Sequence, residues 1–114
     1  DEERQDSAVK TLISWPVSGL TEAINFIWEN HGSDFGGHYQ VNCLISQLGL
    51  TELSFITKES LSEPAPQYAK SKIAATWGCL NLGLSECRSE IENLFMMSSW
   101  EPLRWTCAEV LRKL

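Results

Sequence analysis

The sequence predicts an all-α fold, a single compact bundle of about six or seven short helices. Apolar residues recur at helical spacing in several segments, Gly or Pro closes each segment, and the alternation expected of a half-buried strand is scarce. With 114 residues, 43% of them hydrophobic, the chain has the size and composition of one domain with one core. This reading gives a charged linker over 1–6 and one helical, protein-binding domain over 7–114.

Ser7 opens a first short helix through Ala8, Leu12 and Ile13, which Pro16 ends because its ring cannot continue the hydrogen-bond ladder. A turn is expected at Ser18-Gly19. The stripe Leu20, Ala23, Ile24, Ile27 and Trp28 then predicts a second helix that stops at Gly32. Gly32 to Gly37, with Ser33 and Asp34 among its glycines, reads as a flexible loop. Val41, Leu44, Ile45 and Leu48 mark a third helix ended by Gly49, and Thr51 is placed to cap a short fourth helix carrying Leu53 and Ile56. Glu59 to Pro66, with two prolines, reads as a connection.

The fifth helix, roughly Gln67 to Leu82, carries Ile73, Trp77, Leu80 and Leu84 and is predicted to be central, facing the core along its length. Gly83 ends it and Ser85 starts a sixth helix through Ile91, Leu94 and Phe95. Ser98 and Glu101 have capping-box spacing for the last helix, where Pro102 fits the first turn. The final stripe is Leu103, Cys107, Val110, Leu111 and Leu114. No internal repeat and no low-complexity tract stand out.

Fifteen acidic against nine basic residues, a formal charge of −6, oppose direct binding to nucleic-acid phosphates. The basic residues are uneven, however, with Lys70 close to Lys72, and Arg104, Arg112 and Lys113 near the end. No apolar run approaches the ~20 residues that cross a bilayer, and the opening Asp1-Glu2-Glu3-Arg4-Gln5-Asp6 is the reverse of a signal peptide. A soluble protein without membrane contact is expected. The charged start without an initiator Met suggests the excised end of a longer protein.

Cys43, Cys79, Cys87 and Cys107 are dispersed in apolar settings and read as reduced, buried thiols. His31, Asp34, His38 and Cys43 have zinc-ligand chemistry but not zinc-site spacing, so they read as ordinary polar residues beside a Gly-rich loop, and no metal or cofactor is expected. A histidine near a cysteine is the minimum for nucleophilic catalysis, but no nucleophile elbow, phosphate loop or His-Glu-x-x-His accompanies it. Five tryptophans are more informative. Trp28, Trp77 and Trp100 lie on apolar stripes and read as core. Trp105 falls off the last stripe, so it either packs on a neighbouring helix or is exposed as an anchor for a protein partner.

Several segments together carry a resemblance. Glu22-Ala23-Ile24-Asn25-Phe26-Ile27 opens a helix, a Ser/Gly loop leads to a second, and a Pro-containing loop precedes Ser71-Lys72-Ile73 and the cluster Trp77-Gly78-Cys79. Leu94-Phe95 then precedes a break and a terminal helix finishing Val110-Leu111-Arg112-Lys113. From about Leu20 onward this order resembles the C-terminal, nucleocapsid-binding domain of rhabdovirus phosphoproteins. The resemblance implies a polymerase cofactor that grips the RNA-bound viral nucleoprotein and contacts the polymerase through other regions, in host cytoplasm or nucleus and in the virion. It also implies a basic patch and a hydrophobic pocket beside a tryptophan, matched here by Lys72, by Trp77 with Cys79, and by Lys70 as an addition. Glu29-Asn30-His31 stands where the family has lysines, so the patch is weaker or moved.

The function expected is therefore a non-catalytic adaptor, monomeric as this fragment, with Lys70, Lys72, Trp77, Cys79 and Trp105 as partner-binding residues. Two rivals stand beside it: a helical effector or scaffold domain that binds a host protein, and a small cysteine- or metal-dependent enzyme.

Overall fold

A computed structural model describes residues 17–30, 35–63 and 68–114. These residues form six α-helices, two short 3-10 turns and no strand, which is the predicted all-α bundle. The helices are α1 (Val17–Asn30), α2 (Phe35–Leu48), α3 (Ser54–Leu61), α4 (Ala69–Asn81), α5 (Arg88–Met97) and α6 (Glu101–Lys113). The 3-10 turns, Thr51–Leu53 and Ser85–Cys87, lead into α3 and α5. The helix expected from Ser7 to Pro16 lies outside the described residues, as do Trp15, His31 and Asp34.

Buried side chains fall into two clusters. In one, Leu20 and Ile24 of α1 meet Val41, Leu44 and Ile45 of α2, with Leu50, Leu53 and Ile56 beneath. In the other, Ala75 and Cys79 of α4 meet Leu61, Leu84, Cys87, Ile91 and, from α6, Leu103, Cys107 and Val110. Leu82 packs against both clusters. Between them runs α4, in contact with α2, α3 and α6, so it is the central helix the sequence predicts.

The face by which α4 is buried differs from the expectation. Ile73, Trp77 and Leu80 are only partly buried, whereas Ser71, Lys72, Ala74, Ala75, Thr76, Gly78 and Cys79 are buried. Neighbours on several sides select small side chains for close approach, and the large ones cover the rim. Gly78 shows the limit: a Cβ there would stand 3.2 Å from Thr57 Cγ2 and 3.7 Å from Ser46 Cβ. Buried hydroxyls on these helices close onto the preceding turn, Thr76 donating to Lys72 O at 2.6 Å and Thr106 to Pro102 O at 2.8 Å.

Two helix ends are built alike. Leu48-Gly49-Leu50-Thr51-Glu52-Leu53 and Leu82-Gly83-Leu84-Ser85-Glu86-Cys87 share the same pattern. Gly49 (φ 64°) and Gly83 (φ 69°) adopt the left-handed conformation that glycine enters without steric cost. Leu50 N–H then donates to Ile45 O at 3.1 Å, and Leu84 N–H to Cys79 O at 2.8 Å, satisfying carbonyls the helix leaves open. Each leucine is buried and each is followed by a 3-10 turn.

Other local expectations are also revised. α1 begins at Val17, so Ser18-Gly19 is helix and not turn, and α2 begins at Phe35, so Gly36 and Gly37 are helical despite their poor propensity. Packing of the apolar stripes outweighs local preference in both cases. α3 runs to Leu61, taking in the first residues of the expected connection. Thr51 opens a 3-10 turn and makes no side-chain cap. Nor does the capping box form at α6: Ser98 Oγ accepts from Trp100 N–H at 3.1 Å, and Trp100 occupies the N-cap position. Pro102 does sit in the first turn of α6.

Candidate functional site

α4 divides the expected binding residues between two sides of the molecule. Residues two apart on a helix point about 200° away from each other. Lys70 is exposed accordingly, whereas Lys72 is only 8% exposed and turned inward. The joint patch of Lys70 and Lys72 is therefore corrected to a single surface lysine, Lys70.

Lys72 belongs to a polar cluster where α2, α4 and the segment after α3 converge. His38, expected in a solvated loop, is instead in α2 and 4% exposed. Its ring packs between Trp28 (centroids 4.4 Å apart) and Tyr68 (5.1 Å), and its Nδ1 lies 2.5 Å from Glu63 Oε2. Burial pushes the Glu63 carboxyl above its ordinary value, partly offset by His38, a Ser60 hydrogen bond and the Lys72 charge. Burial pushes the Lys72 ammonium below its ordinary value, partly offset by Glu63. Asn42 extends the network, its side-chain amide donating to His38 O at 2.9 Å and Ser60 Oγ at 2.8 Å. Among the described residues, His38 Nε2, Glu63 Oε1 and Ser71 Oγ find no hydrogen-bond partner. Such a cluster adds little net stability, because desolvation offsets attraction, but it ties the end of α3 to α2 and α4 and makes the fold sensitive to pH.

The opposite side of α4 carries the aromatic site. Trp77 is half-buried on the edge of the second core cluster, and the Trp105 ring of α6 stands edge-on to it with centroids 6.4 Å apart. Trp105 both packs on a neighbouring helix and is 61% exposed. Lys70 and Trp77 are seven residues apart, two helical turns or about 10.5 Å along one face of α4. Lys70, Trp77 and Trp105 thus present a basic group and a paired aromatic surface. Because Trp77 is not fully buried, its replacement by Ala is expected to cost less than the ~3–5 kcal/mol of a core aromatic. Trp100, expected in the core, is 39% exposed.

Cys79 is corrected as a partner-binding residue: it is fully buried beneath this surface, where a docked partner does not reach it. All four cysteines are free thiols, with Cys79, Cys87 and Cys107 buried and Cys43 partly so. Burial raises the thiol pKa of each, which holds them protonated and weakly nucleophilic at neutral pH. Among the described residues no three His, Cys, Asp or Glu side chains converge as a metal-ligand group would. No helix among them is long and apolar enough to cross a membrane.

The polar cluster escaped sequence reasoning because its members stand 25 and 9 positions apart, at 38, 63 and 72, with no motif linking them. Comparison with protein-family models and with curated proteins finds no match to this chain.

Proposed function

We propose that this chain is a non-catalytic adaptor module that grips the RNA-bound nucleoprotein of a rhabdovirus-like virus and so tethers the viral polymerase to its template. The observation that carries this reading is the Trp77–Trp105 pair, in which a large aromatic ring remains mostly exposed where α4 and α6 pack together. Exposed tryptophan on a fixed scaffold is the commonest kind of binding anchor, because it buries a large area with little loss of side-chain freedom. Lys70 on the same face suits a partner segment that combines apolar and acidic residues, the lysine aiding encounter and register while apolar burial supplies most of the affinity. With a formal charge of −6, the module contacts RNA through the nucleoprotein rather than directly. The polymerase is held by other regions of the full-length protein, in host cytoplasm or nucleus and in the virion, and this module acts as a monomer.

The test is size-exclusion chromatography with light scattering, mixing the domain with recombinant nucleoprotein–RNA complexes from several rhabdovirus genera. Co-elution with one of them, lost in Trp105→Ala, is the expected result. A folded, monomeric domain that co-elutes with none of them would overturn the assignment.

A further inference from the structure

A second set of exposed apolar side chains stands at the end of α5. Met96 and Met97 are 74% and 84% exposed, more than any other large hydrophobic residue described, and Trp100 follows three positions later at 39%. Isolated apolar side chains on a surface are ordinary, but two successive methionines this exposed, with a tryptophan three positions on, concentrate apolar area in one stretch of chain, and methionine adapts its shape to what docks on it.

The surroundings of the patch are acidic. Between Ser85 and Glu101 stand Glu86, Glu90, Glu92 and Glu101 against a single cation, Arg88. Arg88 is paired with Glu92 at 3.2 Å, and Glu86 faces Lys58 at 3.5 Å. Glu90 and Glu101 are exposed and form no ion pair among the described residues. Arg104, the next cation along, is turned onto the Phe95 ring at 4.8 Å and donates to Ser98 O at 3.4 Å. Glu90 and Met97 are seven residues apart, about 10.5 Å along one face of α5, so that face is acidic at its start and apolar at its end.

We infer that α5 and the break between it and α6 together form a docking surface for a basic amphipathic segment of a partner protein, whose apolar side chains seat on Met96, Met97 and Trp100 while its lysines or arginines meet Glu90 and Glu101. Charge decides among the occupants. A second copy of the chain would set acidic rim against acidic rim, because a two-fold contact places the same patch on both sides. Anionic lipid and nucleic acid are repelled by the same carboxylates. A cationic segment alone gains from both parts of the surface.

The test uses fluorescence anisotropy with a labelled synthetic Leu–Lys amphipathic helix and a control in which Glu replaces every Lys. The wild-type domain should bind the Leu–Lys peptide, the Glu peptide should not bind, and M96Q/M97Q should weaken binding about tenfold or more, as loss of a central apolar anchor does. W105A, which removes none of the side chains invoked here, should bind as wild type. Equal affinity in M96Q/M97Q would reduce the interaction to non-specific charge and overturn the inference. So would loss of binding in W105A, or light scattering that shows self-association of wild type abolished by M96Q/M97Q. Both methionine side chains are exposed, so the double variant should melt with wild type, which separates lost binding from lost fold.

Discussion

After α2 the chain turns at Gly49 through a 3-10 turn into α3, and after α4 it turns at Gly83 through a 3-10 turn into α5, with the same glycine conformation and the same pattern of backbone hydrogen bonds. The helices that follow differ. α3 buries Ile56, Thr57, Ser60 and Leu61 and meets both α2 and α4. α5 buries only Ile91 within its helical span and carries exposed Met96 and Met97. A short local signal thus fixes how the chain turns, whereas the number of neighbours waiting beyond the turn fixes how much of the next helix is left for a partner. The interior helix closes the fold; the peripheral one supplies surface.

The strongest test of that contrast replaces one fully buried isoleucine on each side. Ile56→Ala and Ile91→Ala should each lose about 2–5 kcal/mol in denaturant unfolding, with Ile56→Ala losing more because helices enclose it on more sides and the cavity collapses less. An equal or greater loss for Ile91→Ala would break the distinction between interior and peripheral helix. A smaller effect sharpens the shared part. Gly49→Ala and Gly83→Ala each place a Cβ in open space, so the loss is purely conformational, about 1–2 kcal/mol, and should be nearly the same at both turns. Clearly unequal losses would mean the two turns are alike in appearance only.

The half around α3 also holds a charged cluster, Glu63 with Lys72, that gives it a pH response of its own. Glu63 has a raised pKa in the folded state, so the folded protein holds more protons than the unfolded one in the window just above 4.5. Its stabilising contribution is present below that value and lost as pH rises through the folded pKa. Lys72, with a lowered pKa, has the opposite sign: its contribution is complete above 10.5 and lost as pH falls through its folded pKa. Melting curves of Glu63→Gln should show a flatter pH dependence in the acid window than wild type, and those of Lys72→Met a flatter one in the alkaline window. Unaltered slopes in both variants would remove the cluster as the source.

Much of this fold is legible in the residues. The stripes Leu20–Ile24, Val41–Leu44–Ile45 and Leu103–Cys107–Val110 are the core, and Gly49 and Gly83 end their helices. Trp105 announced itself by falling off its stripe. Helical geometry also held the answer for Lys70 and Lys72, since two positions apart cannot share a face. What was not legible depends on tertiary contact. Gly36 and Gly37 are helical because α2 is packed, against their propensity. His38 and Lys72 are buried, and Glu63 partly so, because separate segments converge on them, and each alone has the character of a solvated residue. Cys79 stands two positions from Trp77 in sequence, but its position on α4 points it into the core.

The most direct measurement of the proposed function is the affinity of rhabdovirus nucleoprotein–RNA complexes for wild type and Trp105→Ala, taken together with the melting temperature of each. Binding weakened about tenfold or more, the loss expected of a central aromatic anchor, should accompany a stability change under about 1 kcal/mol, because the ring is mostly exposed. Undiminished affinity in a Trp105→Ala domain that melts with wild type would contradict the proposed function.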